Sequence, residues 1–355
     1  MTAPFEPITL GETRVPHRIF MSPMTRNRAT VEGGLATGSM VDYYVQRAGA
    51  AALIITEGTQ PSRVGQGYLA TPGLHSDEQV AAWRTLTGAV HAAGGTIFAQ
   101  IMHSGRIGHR DLTGLVPVAP SAVRAPGVTY TAEGPKEHDV PRELTEEEIL
   151  GTIADHVSAA RNAVAAGFDG VELHSASGYL LHQFLSDSVN LRTDRWGGST
   201  ENRIRFVVET VRAVADAIGA QRVGLRISPG ITDQGIVEND PVELYTALLT
   251  ALSDLPLAYV HTREQAGRDL TRKLRAAWPG TLVLNPQYDD ERPPHEAVDD
   301  VFTEGVADAV TLGRAFLANP DLVTRIKAQG PYNTPDPASY YGGDERGYTD
   351  YPALV

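Results

Sequence analysis

Within six residues, His174-Ser175-Ala176-Ser177-Gly178-Tyr179 brings together an imidazole, hydroxyls and a phenol. An imidazole and a hydroxyl can donate hydrogen bonds to an oxygen that gains charge, and a phenol can deliver a proton, so the run has the makings of an oxyanion site with an acid beside it. A capping serine and a core tyrosine at a strand–helix junction account for the same residues. Arg226, in Val223-Gly224-Leu225-Arg226-Ile227-Ser228, is harder to place in a core. A buried unpaired cation is costly, so it needs an anionic partner, either a bound group or a neighbouring carboxylate. Gly313-Arg314 offers a backbone N–H and a guanidinium to a phosphate, or is a strand-ending glycine followed by a surface arginine. His174 with His182, and His103 with His109, lack the helical spacing and companion ligands of a zinc motif, and no metal is expected.

The elements that must position these residues alternate. Short β-branched or apolar runs, each followed by a longer segment of helical periodicity, predict strands over Ile19–Met24, Leu53–Thr56, Thr96–Ile101, Gly170–His174, Val223–Ser228, Leu257–His261, Thr281–Leu284 and Ala309–Leu312. Ser76 with Gln79 and Thr145 with Glu148 fit capping boxes, and Asn239-Asp240-Pro241 offers a cap with an early proline. Eight such pairs predict an α/β fold, a (β/α)8 TIM barrel, in one domain spanning 1–355. The excess over a typical barrel of about 250 residues falls in two places. One is a Gly-, Pro-, Ser- and Thr-rich insertion after the third strand, about 103–142, where Val116-Pro117-Val118 and Gly127-Val128-Thr129-Tyr130 suggest a small hairpin cap; the other is a C-terminal extension, 329–355. A doubly wound sheet would carry a Gly-x-Gly-x-x-Gly turn after its first strand, and none is present.

Barrel chemistry sits at strand C-termini, and here nearly every strand ends in a polar group: Thr25, Glu57, Gln100, His174, Arg226, His261 and Gly313-Arg314. The pattern suits a ligand lying flat across the barrel mouth. With 355 residues and 42% apolar content the chain can bury a large core, and 30 basic against 43 acidic side chains, well mixed, give a net charge of −13 that argues against nucleic acid as a partner. The absence of cysteine removes disulfides, thiolate metal sites and cysteine nucleophiles. Met1-Thr2-Ala3-Pro4-Phe5-Glu6 has neither the basic start nor the apolar run of a signal peptide, and no apolar stretch is long enough to cross a bilayer. A cytoplasmic protein, monomeric or weakly self-associating, is expected.

Several segments together resemble the Old Yellow Enzyme family of FMN-dependent ene-reductases over essentially the whole chain. They are Ser22-Pro23-Met24-Thr25-Arg26-Asn27-Arg28, Ile54-Ile55-Thr56-Glu57-Gly58-Thr59-Gln60, Gln100-Ile101-Met102-His103-Ser104-Gly105-Arg106, Gly167 through His174 to Leu185, Gly197-Gly198-Ser199 with Glu201-Asn202-Arg203, Gly313-Arg314 with Ala318-Asn319-Pro320-Asp321-Leu322, and Tyr348-Thr349-Asp350-Tyr351-Pro352. The resemblance implies that Pro23, Met24, Thr25, Gly58 and Gln100 line the isoalloxazine. Arg226 would face its N1/O2 edge, offsetting negative charge gained on reduction. Gly313 and Arg314 would hold the phosphate. His174 would bind the carbonyl or nitro oxygen of an electron-poor alkene, the β-carbon would take a hydride from flavin N5, and Tyr179 would protonate the α-carbon. Tyr68 and Tyr351 are similar to rim residues over the flavin. NADH or NADPH would use the same flavin face before the substrate, so no dinucleotide fingerprint is required. Thr25, where one subgroup carries cysteine, resembles the pentaerythritol-tetranitrate-reductase-like branch.

Three departures stand out. Ser177 occupies the position where the family places His or Asn, and losing one oxyanion donor costs about 3 kcal/mol. Met102 stands where the related branch often has tryptophan, which implies a wider, softer pocket for larger substrates. After the seventh strand the family's Gly-rich phosphate turn is replaced by Leu284-Asn285-Pro286-Gln287-Tyr288 and then Asp289-Asp290-Glu291. Proline has no N–H to give and the carboxylates oppose a phosphate, leaving the backbone of Gln287 as donor. The leading reading is an NAD(P)H-dependent flavin oxidoreductase reducing the activated C=C bond of small-molecule α,β-unsaturated carbonyl or nitro compounds. The alternative is a barrel repurposed in specialised metabolism for a non-reductive isomerisation, dehydration or cyclisation of a bulky intermediate, with weakened FMN binding; a barrel that only binds a ligand conflicts with the retention of His174, Tyr179 and Arg226.

Overall fold

The alternating apolar runs form eight short parallel strands that close into a barrel: β1 Ile19–Met21, β2 Ile54–Ile55, β3 Ile97–Ile101, β4 Gly170–Ser175, β5 Val223–Ile227, β6 Tyr259–Arg263, β7 Leu282–Asn285 and β8 Ala309–Leu312. Each pairs with the next, and β8 returns to β1 through Val310↔Ile19 and Leu312↔Met21. The computed structural model describes residues 3–287 and 292–354. Helices cover the outside: α1 Gly38–Ala48, α2 Asp77–Ala92, α3 Glu146–Ala165, α4 Thr200–Ile218, α5 Pro241–Leu252, α6 Arg268–Ala277, α7 Pro294–Glu304 and α8 Leu322–Ala328. Both predicted capping boxes form complete at the starts of α2 and α3, and Asp240 caps α5 by accepting the Glu243 N–H at 2.9 Å.

Strand period and register sort the side chains. Ile97, Ala99, Val171, Leu173, Val223, Leu225, Leu282 and Leu284 face outward into the helical layer, in one large buried cluster. Phe20, Ile55, Phe98, Tyr259, Val283 and Ala309 form a second cluster inside the barrel, sealed at its lower end by Leu10 and Val15 of the hairpin Ile8–Leu10/Thr13–Val15. Two residues further along the same inward columns the interior turns polar: Gln100 and Glu172 lie side by side, followed by His261 and Thr311. The next step up carries His174 beside Arg226, and Arg263 beside Asn285.

Seven of the eight strands differ from their expected bounds, five by a single residue at an end and two by more. The first strand stops at Met21: Ser22 gives one more N–H to Leu312, and Pro23 then has none to give. The sixth begins at Tyr259 and runs to Arg263, because Leu257 is held in a turn by the carbonyl of Leu255 and pairing starts only at Ala258, which bonds Val223. This two-residue shift carries Arg263 into the barrel mouth.

The insertion after β3 forms the expected cap with different partners. Val128–Thr131 makes a hairpin with Gly134–Glu137, while Val118–Ala119 pairs in parallel with Arg142–Glu143. The C-terminal extension is fastened by buried arginines. Arg26 donates to the carbonyls of Ser339, Tyr340 and Gly347, Arg28 donates to that of Ser339, and the Arg26 guanidinium lies 4.9 Å from the centroid of the Tyr348 ring. No helix among the described residues is long and apolar enough to cross a membrane.

Candidate active site

A cavity of about 1230 Å³ opens at the C-terminal ends of the strands. It exceeds the usual range of about 300–1,000 Å³ for a single small ligand and leaves room for a cofactor and a substrate together. Of the residues singled out from the sequence, Pro23, Met24, Thr25, Tyr68, Gln100, Met102, His174, Ser177, Tyr179, Arg226, Gln287, Gly313 and Arg314 all line it. Parallel strands in register bring these positions to one rim, although they span the chain from β1 to β8.

The floor is a closed polar network. Glu172 accepts from Gln100 Nε2 at 2.8 Å and from His261 Nδ1 at 2.8 Å, and His261 Nε2 meets Thr311 Oγ1 at 2.9 Å. Burial opposes the charge on Glu172, but His261, Arg226 and Gln100 outweigh it and hold the carboxyl below its ordinary pKa. Burial lowers His261, so a neutral ring gives its Nδ1–H to the carboxylate.

Arg226 sits above this network, 6% exposed. Burial lowers its pKa to about 10, leaving it cationic near neutrality. It makes no salt bridge among the described residues: Glu172 supports its charge without touching it, its hydrogen-bond partner is the neutral Asn285 Oδ1 at 3.1 Å, and its Nε is buried without an acceptor. A cation so placed calls for acceptors from a bound group. His174 shows the same deficit. It is 5% exposed, its Nδ1 is buried without a partner, and burial followed by the nearby Arg226 holds it neutral by lowering its pKa well below the usual value. Both orphaned nitrogens belong to side chains lining the cavity, and the oxygens and nitrogens of a flavin pyrimidine edge and of a substrate have the acceptor character they lack. The residues present fit FMN.

Tyr179 is half-buried, and its ring centroid lies 5.2 Å from that of His174. Burial, followed by the neighbouring Tyr68, raises its pKa well above the ordinary phenol value, so it carries its proton at neutral pH. A hydrogen bond of 2.7 Å joins the hydroxyls of Tyr68 and Tyr179. Behind the Tyr179 loop, Gly178 N–H donates to His182 Nδ1 at 3.0 Å, which leaves the His182 proton on Nε2, facing Glu238 at 2.8 Å; Glu238 also accepts from Tyr245 and from Gly230 N–H.

Several positions behave otherwise than the sequence suggests. Glu57 turns away from the mouth to the hydroxyl of Tyr44, 3.3 Å away. Gly58 is also outside the cavity lining; a Cβ there would stand 2.6 Å from Met102 Sδ, so the glycine admits the methionine that does line it. Tyr351 is not a rim residue. Its hydroxyl accepts the Asp336 N–H at 2.8 Å, and the rim is formed instead by Tyr340 and Tyr341 of the extension with Tyr130 of the cap. Gln287 has its backbone N–H directed at Glu264 Oε2, 3.3 Å away, so that donor is engaged by a carboxylate. The acidic run Asp289, Asp290 and Glu291 lies outside the described residues. Ser177 adopts a left-handed backbone, φ 54°, a region His and Asn tolerate better than Ser, and its Oγ accepts from Arg263 Nη1 at 3.0 Å. Arg263 and its partner Asp233 line the cavity too and were missed in the sequence. The available signal was strand parity: Arg263 follows His261 by two and shares its face.

Residues 4–333 match the NADH:flavin oxidoreductase / NADH oxidase family. The chain is 40% identical to a chanoclavine-I aldehyde reductase of Penicillium roqueforti (99% of this chain, 96% of the relative) and 39% identical to 12-oxophytodienoate reductase 1 of Oryza sativa subsp. japonica (98% and 92%). Among solved structures it is similar to an old yellow enzyme homologue from Zymomonas mobilis, with a TM-score of 0.95 and 40% identity over 99% of this chain and 100% of that one. Morphinone reductase in complex with tetrahydroNAD gives 0.93 and 39% over 100% and 98%. Fold, cavity and sequence therefore agree: the chain belongs to the Old Yellow Enzyme family of flavin-dependent oxidoreductases.

Proposed function

We propose that this protein reduces the activated C=C bond of α,β-unsaturated carbonyl or nitro compounds, with FMN as cofactor and NADH or NADPH as reductant. FMN bound here would supply hydride transfer from the nicotinamide to the alkene. The chain does the rest. Arg226, with Thr25 and Gln100, would hold the flavin edge, and Gly313 with Arg314 would hold the phosphate. His174 donates to the oxygen of the activating group, where a neutral imidazole lends an N–H without a charge to desolvate. Tyr179 gives its proton to the α-carbon, and Tyr68 orients that hydroxyl. We read 1–355 as one barrel domain, with 103–142 and 329–355 closing over its mouth, in a cytoplasmic protein.

The observation that carries this reading is the pairing of a neutral imidazole with unmet hydrogen-bonding capacity and a protonated phenol, 5.2 Å apart in one cavity. The similarity to reductases named for an aldehyde, for 12-oxophytodienoate and for morphinone supports a conjugated acceptor. The test is a spectrum: protein purified yellow, bleached anaerobically by NADH or NADPH and re-coloured by 2-cyclohexenone. A colourless protein that takes up no added FMN would overturn it. That outcome would favour the non-reductive alternative, for which the engagement of the Gln287 N–H by Glu264 is the specific observation.

A further inference from the structure

The assigned roles leave one cation in the cavity unused. Arg263 ends β6 on its inward face, beside Asn285 of β7, with a side chain 27% exposed. Its Nη1 donates to Asp233 Oδ2 at 2.5 Å and to Ser177 Oγ at 3.0 Å. Nε and Nη2 make no hydrogen bond among the described residues, and neither does the hydroxyl hydrogen of Ser177. Two anchors thus fix the guanidinium over the very position where the sequence lacks the donor its resemblance called for, three residues from His174. We propose that Arg263, clamped by Asp233 and Ser177, is the second hydrogen-bond donor to the substrate oxygen that His174 binds. The assignment rests on the functional reading above.

The physical case is one of charge and preorganisation. As the alkene takes a hydride, the oxygen of its activating group gains negative charge, and a donor already fixed in place stabilises that charge without reorganising. His174 is neutral, so Arg263 is the group that brings positive charge to this end of the cavity beyond Arg226. The fork geometry of a guanidinium lets it keep Asp233 on one nitrogen and offer another to the oxygen. Ser177, having accepted from Arg263, presents its own O–H with increased donor strength. The charge of Asp233 is partly offset by water, because its side chain is 38% exposed. The left-handed φ of 54° at Ser177 turns the short side chain toward this guanidinium, so the serine acts as a seat for Arg263 in place of a donor of its own length.

Arg263→Met tests this, together with Arg263→Met/Asp233→Asn, which leaves no carboxylate unpaired. Flavin content, the rate of anaerobic bleaching by NADPH and kcat/KM for 2-cyclohexenone are measured for each. Both variants should keep their flavin and lose roughly 100-fold in kcat/KM for the enone, mostly in kcat, as expected for one lost oxyanion donor. Adding Ser177→His to Arg263→Met should recover about tenfold or more, because it restores a donor where the guanidinium stood. Enone kcat/KM within about threefold of wild type in both variants, below any oxyanion-donor effect, would overturn the assignment. So would a loss that Ser177→His does not mend and that slows bleaching equally, since that marks a structural role. Wild-type protein that bleaches with NADPH but turns over no enone or nitroalkene would instead overturn the functional reading, and this assignment with it.

Discussion

The hydroxyls of Tyr68 and Tyr179 meet at 2.7 Å across 111 residues of sequence, one on the loop after β2 and the other on the loop after β4. This contact fixes the phenol that faces His174. Tyr179→Phe should slow alkene reduction about 100-fold, the lower end of the range for a lost general acid, while anaerobic bleaching by NADPH stays near wild type. Tyr68→Phe leaves the acid but removes its orienting partner, so a loss of about tenfold in the same step is expected, and stopped-flow of the two half-reactions separates the cases. Equal slowing of both half-reactions in Tyr179→Phe would contradict its role.

Arg226 combines near-complete burial with an orphaned Nε. Its replacement by Met should therefore act in opposite directions on the two forms of the protein. Loss of a charged hydrogen bond of about 1.5–3 kcal/mol should weaken FMN binding by about 10- to 100-fold, read by fluorescence titration. The apoprotein, relieved of a buried cation that makes no direct salt bridge while Glu172 keeps Gln100 and His261, should melt no lower than wild-type apoprotein. A destabilised apoprotein with unchanged FMN affinity would make Arg226 structural.

Glu57 lies fully buried between Tyr44 and the arginines that fasten the C-terminal extension, and burial raises its pKa to about 7 against Arg26, which works to lower it. The folded state holds this proton more tightly than the unfolded chain, so the stability it contributes is full below the unfolded pKa near 4.5 and is lost as pH rises through about 7. Glu57→Gln removes the titration. The stability difference between variant and wild type should shift in favour of the variant by about 2.5 kcal/mol from pH 5 to pH 8, measured by urea unfolding at each pH. A difference independent of pH would show that Glu57 does not titrate in this window.

Gly178 has φ +81°, and a Cβ on it would stand 2.7 Å from Gln234 Cβ and 3.0 Å from the carbonyl of Asp233. Gly178→Ala should cost about 1–3 kcal/mol in stability through the backbone alone. It should also displace the neighbouring Tyr179, so enone reduction falls further than flavin bleaching does. Unchanged thermal stability would mean that the two loops are not packed as described.

The order of strands and helices, the capping of α2, α3 and α5, and the set of positions that reach the barrel mouth were legible in the residues. These depend on local rules: a period of two in strands, a capping side chain three residues from its acceptor, and proline or glycine where the backbone demands them. Parallel closure then carries every strand end to one rim, so Gln100, His174 and Arg226 could be assigned to a common cavity from their places on strands alone. What local rules could not supply is which partner each side chain finds across the barrel. Glu57 and Glu172 both lie near strand ends, yet one is turned outward to Tyr44 and the other anchors the floor. Tyr340 and Tyr341 hold the rim in place of Tyr351 because Arg26 and Arg28 fasten the extension from more than 300 residues away. The same holds at Ser177: its sequence shows a missing donor, and the contact with Arg263 of β6, reached only through a strand boundary two residues from the expected one, shows what stands in its place. Side-chain type and spacing are local quantities, whereas the charge and hydrogen-bond partners of a buried group are set by every strand that packs against it.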